Sequence, residues 1–294
     1  MALPSNLPPP QSSSSAVPVD KEKDSKTIES GKSKDIVKGA LAKEPDKAKA
    51  PIKPGTIIVL TGIVAAGKSS IVKALQAIDP QFKEEDLDLR RDPKTPTTDD
   101  MERQMIDDTI DRSLNGEKTI ISLYKADLLG KRLKERGITD VKFATVLAHC
   151  PFTEIPGRLE SRNTAALAPK GNPENYRNPL TPIDQFAELY MGDLAGTEKI
   201  DRATAIQYFN TSFDRMIEYG RKLGDTFPPE EQIKKDKEDG LQDFLKAIGF
   251  KDSSQNEIYV KPKFDYNKVM DTSKYRDDES RQKFLRTLLT DIEK

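Results

Sequence analysis

Thr56-Ile-Ile-Val-Leu-Thr-Gly-Ile-Val-Ala-Ala-Gly-Lys-Ser-Ser70 decides how this chain of 294 residues folds. Thr56 to Leu60 is a β-branched apolar run bounded by Pro54-Gly55, the signature of a fully buried parallel strand. Ile71, Val72, Leu75 and Ile78 then recur at helical spacing, with Pro80 as a stop. Between strand and helix lies Gly62-x-x-x-x-Gly67-Lys68-Ser69, the pattern of a phosphate-binding loop. Gly62 and Gly67 permit backbone angles that a Cβ would forbid, so the N–H groups of Ala65, Ala66, Gly67, Lys68, Ser69 and Ser70 can converge on one anion. The unpaired N–H groups and dipole of the helix N-terminus favour the same anion. Lys68 adds a compact positive charge near the outer phosphates, and the Ser69 hydroxyl is the expected protein ligand for Mg²⁺. Gly31-Lys32-Ser33 serves as a control: position 26 is Lys rather than Gly, and no strand precedes it.

Working outward, strands and helices alternate. Phe82 to Leu89 reads as a second strand ending in the acidic run Glu84-Glu85-Asp86-Leu87-Asp88. A helix starts at Thr97-Thr98-Asp99-Asp100, where Thr97 and Asp100 have capping-box-like spacing, and ends at Asn115-Gly116. Thr119 to Leu123 and Val141 to Ala148 are further strands, separated by a helix through Leu128, Leu129 and Leu133. A helix from about Thr153 to Arg162 follows. The pattern predicts an α/β fold of the three-layer P-loop NTPase type, a five-stranded mostly parallel sheet with helices on both faces, plus a helical insertion. Residues 163–182, rich in Pro, Asn and Gly, read as a lid-like loop. The pattern from 184 to 223 is helical, the charged run Glu230 to Asp239 reads as a break, and Leu241 to Ile248 as a short helix, so the insertion spans about 184–250. Asn267 to Met270 reads as the last strand, and Phe284, Leu285, Leu288, Leu289 and Ile292 mark an amphipathic terminal helix.

Composition narrows the function classes. Residues 1–50, with Pro8-Pro9-Pro10, Ser12 to Ser15 and many charges, read as a disordered tail, leaving 51–294 as the folded P-loop domain. A net charge of −1 does not favour a nucleic-acid or membrane-surface partner. Cys150 is the only cysteine and His149 the only histidine, which excludes an intrachain disulfide and His-rich metal sites. No apolar run is long enough for a membrane span, and the N-terminus carries no signal-peptide pattern. A cytoplasmic location is the expectation, with export by a route independent of a signal peptide left open.

Several segments together resemble the chloramphenicol phosphotransferase-like branch of P-loop kinases. Ile57 to Gly62 followed by Ala65-Ala66-Gly67-Lys68-Ser69-Ser70 is similar to that family's first strand and loop. Val146-Leu-Ala-His-Cys150-Pro151 followed by Arg158-Leu-Glu-Ser-Arg162-Asn163 is similar to its fourth strand and arginine-bearing helix. Asp265-Tyr266 followed by Asp271-Thr272-Ser273 resembles its last strand and the turn beneath the nucleotide base. The resemblance implies ATP and Mg²⁺ as cofactors, with Thr272 at the base and a hydroxyl-bearing acceptor. Two departures bear on that acceptor: only Asp127 follows the third strand, where the family carries an acidic residue, and Ile63-Val64 are bulkier than expected.

Phosphoryl transfer further needs a base for the acceptor hydroxyl and cations on the moving oxygens. Asp88, at the carboxyl end of the second strand and read as lying beside the first, is the expected base, with Asp86 of like side-chain parity next. Arg158 and Arg162, four apart on one helix face, are the expected phosphate-binding cations, Arg162 acting with Lys68 on the transferring group. Arg177 and Lys170 are candidates from the lid. The leading expectation is an ATP-dependent phosphotransferase. The alternative is a nucleotide-dependent binding module with vestigial catalysis, engaging a protein partner through the helical insertion or the tail.

Overall fold

A computed structural model describes residues 53–86, 98–172 and 175–293. The expected disordered tail, the end of the second strand with Asp88, and Thr97 lie outside the described residues. Strand β1 (Ile57–Thr61) is buried at every position and leads through the glycine loop into α1 (Lys68–Ile78). The main sheet continues with β2 (Lys83–Glu85), β3 (Thr119–Ser122), β4 (Phe143–His149) and β8 (Lys268–Asp271). Its order is β2-β3-β1-β4-β8, with all four pairings parallel. This is the expected three-layer α/β P-loop fold. The second strand, however, lies at the sheet edge beside β3 rather than beside β1.

The side-chain period of two along a strand divides the core into two layers. Ile57, Val59 and Ile121 face α2 (Asp99–Leu114) and α3 (Leu128–Glu135), meeting Met105, Ile110, Leu129 and Leu133. Ile58, Leu60, Ile120 and Val146 face the other way, onto Ile71 and Leu75 of α1 and Leu285 and Leu288 of α8 (Asp278–Glu293). Each fully buried Ile or Leu contributes about 1.5–3 kcal/mol. The cap of α2 falls one residue later than expected: Thr98 Oγ1 accepts from Met101 N–H at 3.2 Å.

The insertion differs most from the sequence reading, because it is not wholly helical. After α5 (Thr181–Leu189) the chain forms β5 (Tyr190–Gly192) and β6 (Glu198–Asp201), which flank β7 (Glu257–Pro262) in a small antiparallel sheet. In β7, Ile258 and Val260 are buried while Tyr259 is exposed, the alternation of a half-buried strand. The long helix α6 (Arg202–Leu223) follows β6, capped by Asp201 on Thr204 N–H at 2.7 Å. The charged run from Glu230 is no break but the first half of α7 (Glu230–Ile248). Glu230 and Glu231 suit the positive end of the helix dipole, and the charges form its solvated face. Ile233, Leu241, Phe244, Leu245 and Ile248 form the seam that packs inward. Gly240 sits in that seam because a Cβ there would stand 3.0 Å from the Phe209 ring. None of the described helices is long and apolar enough to cross a membrane.

Candidate functional site

The glycine loop has the geometry its sequence implies. Gly62 has φ 154°, and a Cβ there would lie 2.7 Å from Ala148 O, so glycine is required both for conformation and for close approach to β4. Gly67, with φ 93°, is the N-cap of α1 and offers no side-chain cap. The first turn of α1 contains no acidic residue, so the positive end of its dipole is open to an anion, while the Ser70 N–H donates to Gly67 O at 3.0 Å. Between the glycines, Ala65 holds φ 65°, the one positive φ of a non-glycine among the described residues. A left-handed alanine costs about 1 kcal/mol, strain of a kind that gathers at functional sites. Lys68 Nζ reaches across the loop to Gly62 O at 2.6 Å and Ile63 O at 3.0 Å. Ser69 is exposed at the helix start, and Ala66 is fully buried beneath it. Loop, lysine and serine together suit a nucleotide phosphate chain with its Mg²⁺.

One side of the loop is built from β4, β8 and the arginine helix α4 (Ile155–Leu167). Thr272, just after β8, donates Oγ1–H to His149 O at 2.9 Å, and its methyl lies 3.6 Å from where a Gly67 Cβ would stand. Arg158 Nη1 donates to Thr272 Oγ1 at 2.8 Å, while its Nε and Nη2 grip Glu154 Oε2 at 3.2 and 2.8 Å. Gly67, Ser70, Arg158 and Thr272 therefore share one cleft of about 370 Å³, together with Glu154, Arg276 and Arg281. Arg276 and Arg281 were missed in the sequence, where Asp277, Asp278 and Glu279 stand between them and no basic cluster marks them. Arg162 is not part of this cleft wall: its Nε donates to Asn175 O at 3.0 Å, tying α4 to the 163–182 segment. The first part of that segment is still helix, since α4 runs to Leu167. Buried Asn163 clamps the rest, donating to Arg177 O at 2.8 Å and accepting from Arg177 N–H at 3.0 Å.

The other side of the loop faces α5. Gln185 Oε1 accepts from Val64 N–H at 2.6 Å, which locks the insertion onto the outer turn of the loop. Burial accounts for Ile63, which anchors the loop in the core, whereas Val64 meets α5 through its backbone N–H, a group any non-proline residue supplies. Asp184 and Glu188 flank Gln185 on the helix, and the Tyr124 phenol, just beyond β3, faces Glu188. Glu102, in the first turn of α2, faces the Tyr124 backbone. Asp184 is open to solvent yet ringed by protein. Partial loss of water, then repulsion from Glu188, pushes its carboxyl up to about 6. Burial likewise raises Glu102. Asp127 stands at the N-terminus of α3 without capping it and pairs through Oδ2 with Lys131 at 2.5 Å, while its buried Oδ1 has no hydrogen-bond partner among the described residues. Asp86 stands just past β2, half-buried. Cys150 is a packed thiol, and burial pushes it up to about 12.

No protein-family model matches the chain, and neither does any curated protein. Among solved structures, a sugar kinase from a Janibacter species is similar at 19% identity over 37% of this chain and 68% of its own, with a TM-score of 0.30. A gluconokinase from Sinorhizobium meliloti is similar at 22% identity over 44% of this chain and 78% of its own, with a TM-score of 0.29. A chain of the PezAT toxin–antitoxin system of Streptococcus pneumoniae is similar at 19% identity over 68% of this chain and 91% of its own, with a TM-score of 0.31. These likenesses are partial, and the P-loop assignment rests on the strand order and loop geometry of the chain itself.

Proposed function

We propose that the protein is an ATP-dependent phosphotransferase of the chloramphenicol phosphotransferase-like kind, moving the γ-phosphoryl group to a hydroxyl of an acceptor. The observation that carries this reading is the junction at Gly67, where an uncapped helix start, Arg158 and Thr272 open into one cleft. The phosphate chain lies along the N–H groups of residues 65–70, and the base rests toward Thr272 and Arg276. Ser69 would hold Mg²⁺ beside the phosphates, and the ion would supply charge neutralisation on the transferring oxygens. The acceptor approaches from the opposite side, between the loop and α5. Its oxygen forms the new P–O bond as the β–γ bridge breaks and ADP leaves. Its proton passes to Asp88, the carboxylate expected at the end of the second strand, with Asp86 next in line. Lys68 follows the charge on the transferring group. Arg162, bonded to Asn175 O, acts there only through closure of the 163–182 segment. The need for ATP and a reduced Cys150 suits the cytoplasm.

Calorimetry with Mg-ATP tests the site. Lys68→Ala is expected to abolish binding, and retained affinity refutes the phosphate-loop assignment. Asp88→Asn is expected to keep binding while losing transfer of labelled phosphate to an acceptor, and retained transfer moves the base elsewhere.

A further inference from the structure

Behind the nucleotide wall, the only histidine meets a buried carboxylate from the small sheet. His149 Nδ1 lies 2.7 Å from Tyr190 OH, and His149 Nε2 lies 3.6 Å from Glu198 Oε2. Both side chains are almost enclosed, at 16% and 17% exposure, so solvent still reaches an edge of each. Glu198 Oε1 accepts from Phe152 N–H at 2.5 Å, gripping the turn that launches α4. Glu198 Oε2 is buried without a hydrogen-bond partner among the described residues. Burial holds the Tyr190 phenol well above its ordinary value, so it stays protonated and can donate to Nδ1 or accept from it. When Tyr190 donates, the neutral imidazole carries its proton on Nε2, toward Glu198 Oε2.

Several charges face this pair. Asp271 comes from β8, Lys274 from the turn after it, and Arg158 from α4, with Tyr190 from β5 and the Cys150 thiol alongside. Burial depresses His149 most; Asp271 opposes that, while Lys274 and Arg158 depress it further. Burial raises Glu198 to about 7, against the Phe152 N–H bond, and Asp271 adds to the rise. Glu198 therefore exchanges its proton near neutrality beside the imidazole, whose Nε2 stands 3.6 Å away. Arg158 joins the pair to the site. It lines the nucleotide cleft, bonds Thr272 Oγ1 at 2.8 Å, and Thr272 in turn bonds His149 O.

We propose that the His149–Glu198 pair is a proton-coupled sensor of the nucleotide cleft, taking up a proton from solvent when nucleotide phosphate engages Arg158. The inference rests on the nucleotide reading of the cleft given above. Phosphate neutralises the cation that repels a proton from His149 and adds negative potential, and both changes favour the protonated pair. By linkage, nucleotide binds more tightly when the pair is already protonated. The probe is ADP with Mg²⁺, titrated calorimetrically in two buffers of different ionisation enthalpy, for the wild type and Glu198→Gln. The wild type is expected to take up more protons per ADP at pH 7 than the variant. Relative to the variant, its affinity is expected to fall about threefold to tenfold between pH 6 and 8, as a pair shift of up to one unit gives. The single imidazole resonance of His149 supplies a second measurement on the wild type alone: its titration should move to higher pH when ADP is bound. Equal proton uptake in both proteins, or a His149 titration unmoved by ADP, overturns the proposal. Failure of ADP to bind at any pH overturns it together with the nucleotide reading.

Discussion

Replacing Glu198 by Gln should stabilise the protein at high pH and leave it nearly unchanged at low pH. Glu198 is 17% exposed, and its carboxyl rises from 4.5 to about 7 because burial disfavours the charge. The sign follows from linkage. Between those two values the folded chain keeps a proton that the unfolded chain has lost, so stability falls as pH rises across that window. Each pH unit inside the window is worth about 1.4 kcal/mol, so between pH 5 and 8 the wild type should lose on the order of 2–3 kcal/mol through this group. Gln keeps an oxygen for Phe152 N–H and cannot ionise, so the variant lacks this loss. The assay is urea unfolding followed by circular dichroism for both proteins at pH 5, 6, 7 and 8. The stability difference should widen with pH and level off above 7, and at pH 8 it should appear as a rise in melting temperature of about 5–10 °C. A difference that stays constant with pH refutes the reasoning, because it would mean that Glu198 keeps its ordinary value in the fold.

Gly62→Ala places a Cβ 2.7 Å from Ala148 O, at a φ that alanine resists, and should cost about 1–3 kcal/mol in urea unfolding as well as ADP binding measured calorimetrically. Phe244→Ala removes a ring stacked between Phe152 and Phe209, with centroids at 6.3 and 5.7 Å, and should cost about 3–5 kcal/mol by the same unfolding assay. Asp184→Asn removes a carboxyl that ionises near 6. If the ionised form orients the acceptor, wild-type transfer should rise through that pH and the variant's pH–rate profile should lose the limb.

The parts of the fold legible in the sequence are those where one local rule dominates. Thr56 to Leu60 is apolar at every position, as only a strand covered on both faces tolerates, and Gly62 and Gly67 stand where the backbone turns into α1. The insertion was less legible because its rules compete. Tyr190-Met-Gly192 follows directly on a helix with no breaker, and only pairing with the distant Lys261 and Val260 makes it a strand. Glu230 to Asp239 carries its helical character in Ile233 and the later seam residues, hidden among charges that merely face solvent. Glu257 to Pro262 did show the alternation of a strand, so that signal was present and went unread. At the candidate site, Arg158 and Thr272 were singled out because each belongs to a local pattern, whereas Gln185 and Glu198 act across 121 and 46 residues of chain. No spacing rule reports a partner at such distance.

Gln185 and Glu198 are placed by one and the same insertion, and this has a mechanical consequence. Gln185 holds the outer turn of the loop through Val64 N–H, and Glu198 holds the root of the arginine helix through Phe152 N–H. Between them lie only the end of α5, β5 and a short turn, and Phe186 stacks on Tyr190 with centroids 4.4 Å apart. Tyr190 is the residue that hydrogen-bonds His149. A shift of β5 relative to the main sheet would therefore pull on the loop and on the arginine helix together, because close-packed side chains transmit displacement rather than absorb it. On the proposal above, a protonation change at His149–Glu198 would act at this same point of contact. The insertion thus bonds both the glycine loop and the root of the arginine helix, and both of these emerge from the parallel sheet.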